Sequence, residues 1–180
     1  MFYDKIAQRM KDTLVKTFVF LILLLAGYYF LFLGPKLAFP SKLLQAEERL
    51  AQHHSNLLQN RLSFVELTRL DPNSTGFNLE KSNLVLIVKK TNEEGLNALE
   101  KQSELPKIDN DINSRYESLL GETRTVYEDQ EKLLEKVFAT DSYQEGVEIL
   151  YSEEAIELLT RQTNLILEYD FLLSRLKQLR

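Results

Sequence analysis

The chain of 180 residues contains no cysteine. Disulfide frameworks, thiolate metal sites and thiol nucleophiles are thereby excluded, so packing alone must hold any exported part together. Histidine is almost as scarce. His53 and His54 are neighbours, about 100° apart on a helix, and do not form the i, i+4 pair of a zinc-binding helix. Only six glycines are present, and no phosphate-binding loop, dinucleotide fingerprint or nucleophile elbow is among their contexts. Asp109, Asp111 and Asn113 match the first ligand positions of a calcium loop, but Ser114 and Leu120 stand where Gly and a bidentate Glu are required. The expectation is a protein that is not an enzyme, with no catalytic, cofactor-binding or metal-ligating residue.

Basic charge is also in deficit. The net charge is -5, and residues 93–157 alone hold 18 Asp or Glu against six Lys or Arg. Such a surface repels a phosphate backbone, so no nucleic-acid partner is expected, and the acid reads as the solvated face of helices.

One long hydrophobic run stands against this polar background. Residues 17–33, TFVFLILLLAGYYFLFL, contain no charge and no Asn, Gln or Pro. At about 1.5 Å per residue the run is roughly 26 Å long, near the hydrocarbon thickness of a bilayer. It reads as an uncleaved transmembrane anchor contacting lipid, with Phe18, Phe20, Leu24 and Leu33 in the apolar part and Tyr28 and Tyr29 near the outer headgroups. Lys5, Arg9, Lys11 and Lys16 precede it, against Lys36, Lys42 and Arg49 after it, which puts the N-terminus in the cytoplasm. Residues 1–16 form a short amphipathic cytoplasmic leader, and 34–40 a Gly/Pro linker beginning at a helix-ending Gly34–Pro35. Residues 41–180 form a helical extracytoplasmic domain, in a bacterial envelope on the evidence of the missing cysteines.

Beyond the linker the pattern is helical. Leu43, Leu50, Leu57 and Phe64 recur every seven residues with Leu44, Ala51, Leu58 and Val65 beside them, while His53 and Asn60 interrupt the seam as polar layers. Asp71–Gly76 is a turn signal. Residues 77–105 are less clear: the run 84–88 suits a buried helix or a lone strand, and Thr91–Glu94 resembles a capping box. A long helix follows over 108–139, with Gly121 as a weak point. A final pair lies within 142–180, separated near Tyr151–Ser152, whose last member carries Leu158, Leu165, Leu172 and Leu179.

The expected fold is all-α: an N-terminal transmembrane helix followed by a helical bundle or coiled-coil-like domain. The expected function is that of a single-pass structural or assembly protein of a cell-envelope complex. Its seams, Leu43, Leu50, Leu57, Phe64 and Leu158, Leu165, Leu172, Leu179, would meet a second copy or another envelope protein. The alternative is an extracytoplasmic four-helix sensing domain acting through a partner protein.

Overall fold

The computed structural model describes residues 19–29, 31, 34–71, 76–101, 104–140 and 142–179. All regular structure among them is helical, in agreement with the all-α expectation: α1 Gly34–Thr68, α2 Phe77–Lys101, α3 Asn110–Ala139, α4 Tyr143–Leu150 and α5 Glu153–Gln178, preceded by a helical stretch at 19–28. The chain divides into two compact units, Met1–Ser41 and Lys42–Arg180.

The first unit contains the apolar run. Residues 19–28 are α-helical, and 29 and 31 lie in a wider, π-type turn. Among the described residues no helix is long and apolar enough to cross a membrane. The leader at 1–16 lies outside the described residues, as do Phe18 and Leu33. Gly34–Pro40, read from sequence as a linker, is helical and belongs to α1. Pro35 falls in the first turn, where a missing N–H has no intrahelical partner to lose, and α1 continues through Pro40.

The second unit is a four-helix bundle. Its inward positions follow strict alternation of three and four residues: Leu43, Ala46, Leu50, His53, Leu57, Asn60, Phe64 and Leu67 on α1 are all at most 5% exposed. The same spacing buries Val85, Val88, Asn92 and Leu99 on α2, Ile112 through Val137 on α3, and Ala155 through Leu176 on α5. This heptad period is what four helices need to keep one stripe on a common axis. Asn60 reaches Asn92 and Arg49 bonds the Glu104 carbonyl, so α1 and α2 are antiparallel. Arg61 bonds Thr163 and His54 meets Asp170, which makes α5 antiparallel to α1 as well. Asn92 with Tyr127 and Lys81 with Thr140 fix α3 antiparallel to α2, and Thr123 with Tyr169 closes the ring between α3 and α5.

Local signals set the helix starts. Asp109 Oδ1 accepts from the backbone N–H groups of Asp111 and Ile112 at 2.9 and 3.3 Å, capping α3. Ser142 caps α4, and Ser152 Oγ accepts from Ala155 N at 3.3 Å to start α5. The calcium-like triplet is thus occupied otherwise: Asp111 pairs with Arg115, and Asn113 accepts from Ile108 N and donates to the Pro106 carbonyl.

One open reading is decided for the helix and two local expectations are corrected. Residues 84–88 are mid-helix, because Val85 and Val88 are buried at i, i+3 while Leu86 and Ile87 face out. No helix starts at Thr91: its hydroxyl donates back to the Val88 carbonyl within α2, and Asn92 points into the core. Gly121 does not interrupt α3. It is exposed, and a Cβ there would meet nothing within 4 Å. Gly121→Ala is therefore expected to raise stability by about 0.5–1 kcal/mol through lower chain entropy in the unfolded state, raising Tm by about 2–4 °C. A melting curve followed by circular dichroism reads this, and an unchanged or lower Tm would refute it.

Candidate functional site

Two features of the described residues are open to a functional reading, a polar interior and an apolar exterior. The interior is organised around one layer of amides, with Asn60, Asn92, Gln130 and Gln162 supplied by α1, α2, α3 and α5 and all at most 1% exposed. Asn60 Nδ2 donates to Asn92 Oδ1 at 2.7 Å and to Thr91 Oγ1 at 3.0 Å, while Gln162 Nε2 donates to Asn60 Oδ1 at 2.7 Å. Asn92 Nδ2 completes the chain by donating to the Tyr127 carbonyl at 3.2 Å. The Asp129–Arg161 ion pair, at 2.9 Å, sets the neighbouring Gln130 at the same level. Both amide atoms of Gln130, the Gln162 Oε1 and the Tyr127 hydroxyl have no hydrogen-bond partner among the described residues. Buried polar groups of this kind cost stability unless paired, so the layer encodes specificity more than strength.

A second polar group lies nearer the α2–α3 connection. Thr123 Oγ1 and Tyr169 Oη share a hydrogen bond of 3.2 Å, the Tyr116 ring lies 6.1 Å from that of His53, and Tyr169 lies 6.4 Å from His54. Burial pushes the Tyr169 phenol up to about 12, and it pushes those of Tyr116 and Tyr127 further, with Tyr169 adding to both. Tyr127 packs so tightly across α2 that a Cβ on Gly95 would stand 2.5 Å from its ring. On the rim, hydrogen bonds from Arg161 and then Lys132 hold the Asp129 carboxyl below the usual carboxylate range.

A hollow of about 600 Å³ beside the α2–α3 connection is lined by residues that include Glu104, Lys107, Asp109, Asn113, Tyr116 and Glu117. No group of three metal-ligating side chains occurs among the described residues.

The sequence-predicted seams go inside. Leu43, Leu50, Leu57 and Phe64 of α1 and Leu158, Leu165 and Leu172 of α5 are buried in the chain's own bundle core, which leaves none of them for a partner. Leu179 is a correction of another kind. It is 45% exposed, because α5 ends at Gln178 with Leu179 as its cap and Leu176 fills the last inward position.

The anchor positions that are described stay on the surface: Phe20, Leu24, Tyr28 and Tyr29 are half exposed or more. Sequence reading found His53 and Asn60 as polar interruptions. It missed Asn92 and Gln130, although each stands at an inward heptad position of its own helix. Comparison with protein-family models, with curated proteins and with solved structures finds no match for this chain.

Proposed function

We propose that the chain is a single-pass membrane-anchored interaction protein of the cell envelope. Residues 17–33 act as the anchor, the N-terminus lies in the cytoplasm, and the helical bundle is held outside as a structural or assembly module. One observation carries the reading: large apolar side chains from Val19 to Leu25, and Tyr28, Tyr29 and Leu31, are 49–73% exposed around the whole helical circumference. A helix apolar on every side has no water-facing stripe and is at its lowest free energy in an apolar medium. The polar rim of the bundle gives that anchor a water-borne cargo, with α3 turning Glu117, Glu122, Glu128, Glu131 and Glu135 outward.

The full-length chain, expressed in bacterial membranes, is expected to resist washing with high salt and urea, and to lose its membrane association when residues 17–33 are deleted. External protease is expected to reach the bundle only from the extracytoplasmic side. Release of the intact chain by the wash would sink the anchor. A second reading, a sensing bundle acting through a partner, rests on the hollow beside the α2–α3 connection, and what it predicts is a melting temperature that rises with a small molecule bound there.

A further inference from the structure

The donors of the amide layer run in one direction around the bundle. Gln162 of α5 donates to Asn60 of α1 at 2.7 Å, Asn60 to Asn92 of α2 at 2.7 Å, and Asn92 to the Tyr127 carbonyl of α3 at 3.2 Å. One link of the circle stays open, from α3 back to α5. At its two ends are Gln130, neither of whose amide atoms has a hydrogen-bond partner among the described residues, and the equally unpartnered Gln162 Oε1. Both residues are 0% exposed. They are neighbours across the α3–α5 contact, because Asp129 and Arg161, each adjacent to one of them in sequence, form an ion pair at 2.9 Å.

We infer that a single resident water closes this circle, accepting a hydrogen bond from Gln130 Nε2 and donating one to Gln162 Oε1. Bare amide ends in a core are costly, and a water that finds about two to four polar neighbours removes that cost. A cavity lined by apolar side chains alone would stay dry; this one is lined by amides. Turning the Gln130 amide over changes nothing, because neither of its ends has a partner to lose.

The chemistry of the site selects a small neutral molecule that both donates and accepts. An anion would meet the oxygens of Gln130 and Gln162, and a cation the Gln130 N–H groups. Asp129 and Arg161 beside the site neutralise each other, so no net charge calls for a counter-ion. Full burial of both amides restricts the occupant to the size of water.

Access is from the α3–α5 side. A hollow of about 270 Å³ there is lined by Val126, Leu165 and Arg161 among others, and Val126 and Leu165 stand one helical turn from Gln130 and Gln162. With the water in place, one hydrogen-bonded ring joins all four long helices at a single level, and its members polarise one another.

The test uses the full-length chain in detergent micelles, so its outcome does not depend on where the anchor resides. The side-chain amide protons of Gln130 are expected to show magnetisation transfer from water with the sign of a long-lived contact. Those of Asn60, which donate to Asn92 and Thr91, are expected to show none. Gln130→Met, which keeps the shape and removes the donor, is expected to lower the oxygen-17 relaxation dispersion of the solvent by the equivalent of a single long-lived water per chain, with helicity unchanged.

A Gln130 amide that shows transfer only from Gln162, or from no water at all, overturns the inference. So does a relaxation dispersion that Gln130→Met leaves unchanged while the bundle stays folded. If that variant fails to fold, the transfer measured on the unmodified chain decides alone.

Discussion

Raising the pH from 10 to 12 is expected to unfold the bundle cooperatively, with tyrosine ionisation and loss of helix occurring together. Tyr116, Tyr127 and Tyr169 are at most 1% exposed, and burial raises the phenol of Tyr169 to about 12 and those of the other two further. An unfolded-state phenol ionises near pH 10. Below pH 10 both states hold the proton, and the contribution of these residues is fully present. Above it the unfolded chain releases protons that the folded chain retains, so stability falls until the folded-state phenols ionise as well. Each phenol contributes a slope of about 1.4 kcal/mol per pH unit, and three acting together about 4.

A domain near the lower end of the typical stability range, about 5–8 kcal/mol, is therefore brought near its midpoint within about one to two pH units above 10. Near-ultraviolet tyrosinate absorbance and far-ultraviolet circular dichroism, recorded on the same sample, check this. Tyr169→Phe is expected to reduce the slope of stability against pH by about a third. Ionisation of all tyrosines near pH 10 with the helices intact would contradict the burial of these rings.

Asn60→Ala is expected to cost about 3 kcal/mol or more, while Gln130→Met at the same level changes stability by less than about 1 kcal/mol. Both side chains are completely buried, so burial does not separate them. Partners do. Removing Asn60 deletes three side-chain hydrogen bonds and leaves Asn92 Oδ1 and Gln162 Nε2 without their partners in the core, a penalty of about 1–3 kcal/mol for each stranded group. Gln130 has no hydrogen-bond partner to strand among the described residues, and methionine preserves its shape.

Replacing all four amides with leucine is expected to raise the unfolding midpoint while weakening the penalty for a slipped register. A one-heptad slide of α5 currently puts Gln162 against an apolar level and Asn60 opposite Ala155 or Tyr169. Urea titration of the single variants, and sedimentation with amide exchange for the fourfold variant, read these outcomes. Equal costs for Asn60→Ala and Gln130→Met would show that the layer does not act as a hydrogen-bonded network.

Much of the helical skeleton was legible because its signals are local. Asp109, Ser142 and Ser152 cap the helices they precede, and turn residues at 71–76 and Pro106 separate long amphipathic stretches. Signals failed where a local motif competed with a longer period. Thr91–Glu94 resembles a helix start, yet the inward row Val85, Val88, Asn92 runs straight through it, and burial of that row outweighs an optional cap. Leu179 extends a seven-residue repeat by arithmetic, but the chain leaves the helix one residue earlier. Pro40 does not end α1, which begins at Gly34.

By itself the sequence determined that this is a cysteine-free, all-helical chain with one strongly apolar segment and helices of heptad period, since composition, capping and periodicity are properties of neighbouring residues. Only the tertiary structure decided which of the two rows of α1 became core and which stayed outside, and that Asn60, Asn92, Gln130 and Gln162 stand at one level. Leu43 and Leu44 differ by a rotation of about 100° and are chemically identical, so taken alone the two residues do not say which of them is core. The distinction comes from α2 and α5, antiparallel to α1, and from α3, antiparallel to both of them, brought in from 30 to 100 residues away, whose apolar stripes and amides match one face of α1 and leave the other in contact with whatever surrounds the bundle.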